Sequence, residues 1–315
     1  MSEKRILPVL VALTVLILSF GGYIGRLISV HSQFVLVTLS FLFTAVTLGA
    51  YFLLGPHWGR KKPAFRWRWG FLVWGPMGYF ANMIANTQSF RAFGRASETV
   101  ILNYTWPVFT VLFSRLFFAG QEERAGWQAQ LVEALALAAG MGSVFLLATE
   151  GEVGDFQIAN LPGLLWGLAA GASYGAFSAF SSTVTEEEQP TFLLTAILAS
   201  FAFVLPFGLS ERRAVVPVSL YHVGVALAMG LLVNGISYIT WTTALRRARS
   251  SRVSTPKIVA PMYLIPVLSL VIISILLGEG KIYQPYFFLS LALSLTSSIL
   301  AQRSEEIGQM VGRFL

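Results

Sequence analysis

Cysteine is missing altogether from the 315 residues, and charge is scarce, with 12% of the chain being Asp, Glu, Lys or Arg. The first absence removes disulfides, thiolate nucleophiles and cysteine metal sites together. The second is about half the charged share of an ordinary soluble domain, too little to cover a water-facing surface. Asp155 is the only Asp, and His31, His57 and His222 stand far apart. No HExxH, P-loop or GxSxG spacing occurs, so the chain offers no catalytic constellation, and neither a metal nor a cofactor is expected.

What the chain does hold is apolar residues: 55% of the total, with a mean hydropathy of +0.68. Its surface must face lipid. A helical span needs about 20 mostly apolar residues, and ten candidates emerge: 6–26, 33–55, 69–92, 97–119, 129–149, 161–183, 191–209, 219–245, 253–278 and 283–301. Backbone groups must be satisfied within each segment in hydrocarbon, which favours helices. The short alternating segments of a membrane β-barrel are absent from the pattern. The expectation is an all-α integral membrane protein.

The net charge of +7 would point to nucleic acid in a soluble protein. Here the basic residues lie between apolar runs, where they set orientation, and no nucleic-acid partner is expected. With the amino terminus inside, fourteen Lys and Arg fall in inner segments against six in outer ones, which places both termini in the cytoplasm. Lys4 and Arg5 precede an apolar run without a small-x-small cleavage site, so that run reads as a retained span.

The chain also repeats itself. "RASETVILNYTWPVFTVLFSRLFFAGQE" (95–122) and "SSRVSTPKIVAPMYLIPVLSLVIISILLGE" (250–279) both pass through a mid-span proline and end in Gly and Glu. Pro107 and Pro266 lie 159 residues apart, which makes spans four and nine equivalent and divides the chain into halves 1–152 and 153–315. Five spans per half turn the second copy over relative to the first. Inverted repeats are an architecture of secondary transporters, with the substrate near the midplane between the halves.

On these motifs the chain resembles the drug/metabolite transporter superfamily of the EamA type. Within it, "LNYTWPVFTVLFS" (102–114) is similar to the corresponding segment of YddG-type exporters, through Asn103, Tyr104, Trp106 and Pro107. The resemblance implies ten spans in two inverted five-helix repeats, a place in the bacterial inner membrane, and export of aromatic amino acids by alternating access.

The polar residues inside spans supply a candidate site. Tyr79, Asn82, Asn86 and Ser89 share one face of span three. Span four offers Thr99, Asn103, Tyr104, Trp106 and Thr110, span six Trp166, Ser173, Tyr174 and Phe177, and span eight Asn234, Tyr238 and Trp241. Interhelical hydrogen bonding explains any one pair. The combined set predicts a polar, ring-lined cavity for a planar solute, with amides serving both ends of a zwitterion. Pro107, Pro261 and Pro266 read as hinges or as packing kinks. Lys257 either snorkels to the interface or meets a substrate carboxylate. Gly167, Gly171 and Gly175 read as close helix packing. The main reading is export of small neutral or zwitterionic metabolites. Its alternatives are other cargo within the same superfamily, a channel, or a membrane enzyme.

Overall fold

The computed structural model describes residues 3–28, 33–54, 67–93, 96–117, 126–152, 154, 160–212, 219–278 and 282–314. Among these the regular structure is entirely helical, without a strand. Six helices are long and apolar enough to cross a membrane: Phe34–Leu54, Trp127–Ala148, Gln189–Glu211, Leu220–Ser250, Thr255–Leu277 and Pro285–Gln302. That is the character of a multi-pass, all-α membrane protein. Large side chains such as Val46, Leu53, Val73, Leu116, Leu131 and Ile275 stand exposed, as a lipid-facing belt requires.

In chain order the helices are α1 (Glu3–Ile28), α2 (Gln33–Leu54), α3 (Gly70–Pro76), α4 (Asn82–Phe93), α5 (Ala96–Asn103), α6 (Trp106–Leu116), α7 (Trp127–Ala148) and α8 (Leu161–Ser181). The second part has α9 (Gln189–Arg212), α10 (Leu220–Ala228), α11 (Ser237–Ser250), α12 (Thr255–Val259), α13 (Leu264–Leu277), α14 (Pro285–Gln302) and α15 (Ser304–Phe314). Two of the rods contain wide π-helical turns, Met77–Ala81 between α3 and α4, and Met229–Ile236 between α10 and α11. Two are interrupted: Tyr104 and Thr105 form a turn between α5 and α6, and Ala260–Tyr263 is a tighter 3₁₀ turn between α12 and α13.

The other four expected spans also fall on helices, namely α1, the rod 70–93, the broken rod 96–116 and α8. Three of them are shorter or less apolar for a visible reason. α4 carries Asn82, Asn86, Thr87, Gln88 and Ser89, α8 is rich in Gly and Ser, and the α5–α6 rod is split at its middle. A C-terminal helix, α15, lies beyond the last expected span. His31, His57, Glu122, Asp155 and Glu279, which entered the sequence argument, lie outside the described residues.

Packing follows the small residues. α8 presses on α4, α5 and α6. A methyl group on Gly167 would come 2.6 Å from Leu102 Cβ, and one on Gly175 would come 2.5 Å from Phe109 Cβ. Lipid supplies little hydrophobic drive between helices, so such close approach provides the dispersion contacts that hold them. α2 packs along α9, α7 along α14, and α1 along both α11 and α13. The core is ring-rich: Phe71, Phe177, Phe192 and Trp241 are fully buried.

Candidate functional site

One cavity of about 770 Å³ lies among α1, α4, α5, α6, α7, α8, the second π-helical segment, α11, α13 and α14. Its polar lining is Asn82, Asn103, Tyr104, Trp106, Tyr174, Asn234, Tyr238, Ser269, Glu150 and Tyr286. Seven of these, Asn82 through Tyr238, come from the polar faces picked out in the sequence. Pro266 also lines the wall.

The amides are held as well as exposed to the cavity. Asn82 Nδ2 donates to Asn103 Oδ1 at 3.0 Å and to the Ala170 carbonyl at 2.9 Å, and Asn86 Nδ2 donates to Asn82 Oδ1 at 3.2 Å. Asn234 Nδ2 donates to Ser40 Oγ at 3.1 Å. Interhelical bonding and cavity lining are therefore two roles of the same residues. Asn86 contributes through Asn82 and is not itself on the wall.

The deep end is closed by rings. Tyr79 and Tyr238 stack with centroids 4.1 Å apart and planes 19° from parallel. Trp106 meets Tyr174 edge-on at 5.0 Å and Trp241 edge-on at 5.4 Å. Tyr79 is 2% exposed and Trp241 is 0% exposed, with Trp241 Nε1 donating to Ser178 Oγ at 3.0 Å. Both back the wall and do not line it. The two tyrosines also exchange hydrogen bonds across the π-helical segments. Tyr79 Oη donates to the Asn234 carbonyl at 3.1 Å, and Tyr238 Oη donates to the Gly78 carbonyl at 2.7 Å. A π-turn disturbs the regular i→i+4 ladder and tends to mark functional sites. Here each π-helical segment has a carbonyl that receives a hydroxyl from the opposite rod.

Two expected ligands fall elsewhere. Trp166, in the second turn of α8, is 44% exposed, as suits an amphipathic interfacial ring. Lys257 lies in α12 and pairs with Glu305 of α15, while Gln302 Nε2 donates to the Lys257 carbonyl at 2.7 Å. Neither lines the cavity. Of the three expected hinges, Pro107 starts α6 just after the Tyr104–Thr105 turn, Pro261 sits in the 3₁₀ turn, and Pro266 lies in the first turn of α13.

Ion pairs lie outside the cavity lining. Glu133, in the second turn of α7, is 2% exposed. It accepts from Arg115 at 3.1 Å, Ser254 at 2.7 Å and Ser304 at 3.4 Å. Glu150, on the cavity, lies past the other end of α7, about 25 Å away at 1.5 Å per residue. Arg68 holds Glu188 with two bonds of 2.7 and 2.6 Å, and the Thr185 amide adds a third at 3.0 Å. Burial pushes the Glu188 carboxyl up, but those donors outweigh it and hold the group below its ordinary value.

Glu150, Tyr286 and Ser269 were not anticipated. Ser269 stands one turn after Pro266 on the same rod. Glu150 offered one signal, being an acid at the carboxyl end of an apolar helix, against the usual preference.

No family model matches the chain, and no curated protein does. A solved structure described only as "Crystal structure of protein" is similar in fold, at 19% identity over 95% of this chain and 98% of its own, with a TM-score of 0.77.

Proposed function

We propose that the chain is a secondary transporter of the drug/metabolite superfamily that exports small neutral or zwitterionic metabolites, foremost aromatic amino acids, by alternating access. The observation that carries this reading is the cavity, where three carboxamides and four rings from separate helices converge around about 770 Å³. Pockets of roughly 300–1,000 Å³ suit small-molecule ligands.

An architecture of ten spans in two inverted five-helix halves supports the mechanism. The 159-residue offset seen at the prolines pairs Tyr79 with Tyr238 and Tyr104 with Tyr263. The first pair is the central stack, where a two-fold axis between the halves would pass. The second pair marks the two interrupted rods. Helix packing follows the same relation. α2 lies on its counterpart α9 and α7 on its counterpart α14, while α8 against α4 and α6 mirrors α1 against α11 and α13.

Under the positive-inside orientation, the mouth lined by Glu150 and Tyr286 faces outward. The ring cluster and the Glu133 and Arg68–Glu188 contacts close the cytoplasmic end. Bending at the Tyr104–Thr105 and Ala260–Tyr263 interruptions would open that end and close the other. The membrane is then a bacterial inner membrane, with both termini cytoplasmic. No acid lines the deep part of the cavity among the described residues, which favours efflux down a gradient over proton exchange.

The test is efflux of radiolabelled Phe, Tyr or Trp from proteoliposomes, across a small amino-acid panel, with and without a pH gradient. Trp106→Ala and Tyr104→Ala should slow it. Rates equal to empty vesicles for all three aromatic amino acids, while another metabolite moves, would sink the aromatic assignment.

A further inference from the structure

The cavity wall at the α5–α6 interruption carries hydrogen-bond donors without partners, and a chain of amides fixes how one of them points. The Ala170 carbonyl can only accept, and it takes one hydrogen of Asn82 Nδ2 at 2.9 Å. The other hydrogen goes to Asn103 Oδ1 at 3.0 Å, while Asn86 Nδ2 fills Asn82 Oδ1 at 3.2 Å. Asn103 therefore presents its oxygen to Asn82 and turns its Nδ2 group away. Among the described residues no hydrogen bond uses that Nδ2, the Tyr104 hydroxyl or the Trp106 indole N–H, although all three side chains line the cavity. Trp106 is 5% exposed, so the little surface it keeps opens on that space.

Local structure explains why these donors are left over. The carbonyl end of α5 is satisfied within the turn. The Val100 carbonyl accepts from the Tyr104 amide at 3.0 Å, and the Leu102 carbonyl accepts from the Thr105 amide at 3.2 Å and the Thr105 hydroxyl at 2.6 Å. The Leu102 and Asn103 carbonyls approach α8, where a methyl group on Gly171 would meet them at 2.9 and 3.2 Å. The amino end of α6 has no such cover. No side chain caps it, and its dipole adds positive potential at the wall. This stretch thus offers N–H and O–H groups to the cavity while its carbonyls are engaged elsewhere.

We propose that residues 103–106 form a charge-neutral carboxylate subsite, in which Asn103 Nδ2, Tyr104 Oη and Trp106 Nε1 hold the acid end of the cargo. The inference rests on the transport reading above and assigns one end of its substrate. The three groups present about four hydrogens, and a carboxylate accepts at about four lone-pair positions, against two for a neutral carbonyl oxygen. Hydrogen bonds to an ionised acceptor are roughly twice as strong as neutral ones, so the wall favours an anionic head. Asn82 and Asn86 act as positioning residues, because they set the direction of the Asn103 amide. No Lys or Arg is among the described lining residues, which suits a site that must release its cargo as well as take it.

The test is calorimetric binding of L-phenylalanine, 3-phenylpropionate and phenylethylamine to the purified full chain, beside L-phenylalanine efflux from proteoliposomes. The first two ligands carry the carboxylate and the third lacks it. Phenylethylamine should bind at least about tenfold more weakly than either, or not measurably, since it forfeits more than one such bond. Tyr104→Phe and Trp106→Phe each keep a ring and delete a donor. Each should weaken both carboxylates by about fivefold, the net effect of one hydrogen bond where water competes, while changing phenylethylamine by less. If either variant folds poorly, the preference of the unaltered chain among the three ligands decides. If L-phenylalanine is exported but phenylethylamine binds as tightly as phenylpropionate, or both variants weaken all three ligands equally, the inference fails and the transport reading stands. If phenylpropionate binds in a donor-dependent way but L-phenylalanine is not exported, the inference stands and the aromatic amino-acid assignment fails. Absence of binding by all three overturns both.

Discussion

Removing one hydroxyl from Tyr79 or Tyr238 tests whether the two halves are held together at the closed end of the cavity. Each hydroxyl donates to a carbonyl in the opposite π-helical segment, at 3.1 Å for Tyr79 and 2.7 Å for Tyr238. Phe at either position keeps the ring stack, worth about 0.5–1.5 kcal/mol beyond area burial, and deletes only the bond. Side-chain hydrogen bonds within membranes average about 0.6 kcal/mol and reach about 1.7 kcal/mol. If the bonds form only with the cavity open at the Glu150 mouth, each loss shifts the open-to-closed ratio by about 3- to 18-fold, since a ligand or contact moves an equilibrium only by its differential energy. The absence of cysteine makes this measurable. A single Ile273→Cys substitution places a thiol on the cavity wall, and a membrane-impermeant maleimide added from outside reads the open fraction. Labelling should slow in the Tyr79→Phe and Tyr238→Phe backgrounds and slow further in the double variant, with unfolding midpoints in detergent falling in the same order. Labelling rates and midpoints that match the parent in all three would refute the claim that these bonds clamp the halves.

Gly171→Ala should destabilise the protein by about 1–3 kcal/mol in a detergent unfolding assay, because its methyl group would come 2.9 Å from the Leu102 carbonyl and 3.2 Å from that of Asn103. Gly49→Ala, with nothing within 4 Å, should be neutral or stabilising, since Gly costs up to about 1 kcal/mol in a helix interior. The lowered Glu188 carboxyl contributes stability that is complete above its unfolded value and is lost as pH falls through the lower folded one. Arg68→Met should therefore flatten the acid limb of a stability–pH curve, and an unchanged limb would show that the pair does not matter. Trp166→Ala should leave phenylalanine affinity unchanged, whereas Trp106→Ala should weaken it by about 2- to 13-fold, the range of one aromatic contact, in the same calorimeter.

How much of this could be read from the residues depends on the length scale of each signal. Apolar runs of about 20 residues announced α2, α7, α9, α13 and α14, because hydrocarbon thickness imposes that length. The rod 70–93 was harder to read as a span since Asn82, Asn86 and Ser89 dilute its hydropathy, yet their helical spacing exposed a polar face. Prolines marked the interruptions at Tyr104–Thr105 and Ala260–Tyr263, where φ is constrained locally. The π-turns gave less notice. Pro76 stands just before Met77–Ala81, but Met229–Ile236 has no proline, and its wide turns depend on what Tyr79 offers from another helix. α15 went unread as a helix because a run of 11 residues after the last span carries no length signal.

The site divides along the same line. Asn82, Asn103, Trp106, Tyr174, Asn234 and Tyr238 were legible because a polar or ring side chain in mid-span has few places to go except inward. Lys257, which the sequence left open between the interface and a substrate carboxylate, and Trp166 were harder to place for the complementary reason. Both lie within a turn or two of a helix end, where lipid thickness no longer dictates direction and a local partner decides. Glu305 supplied that partner for Lys257, and the interface accommodates Trp166. Glu150 gave less notice, because it falls one residue past the expected span 129–149, in the turn that ends α7, and still reaches the cavity lining. The interior of such a protein is thus written in side-chain chemistry, while its entrance is written in turn geometry.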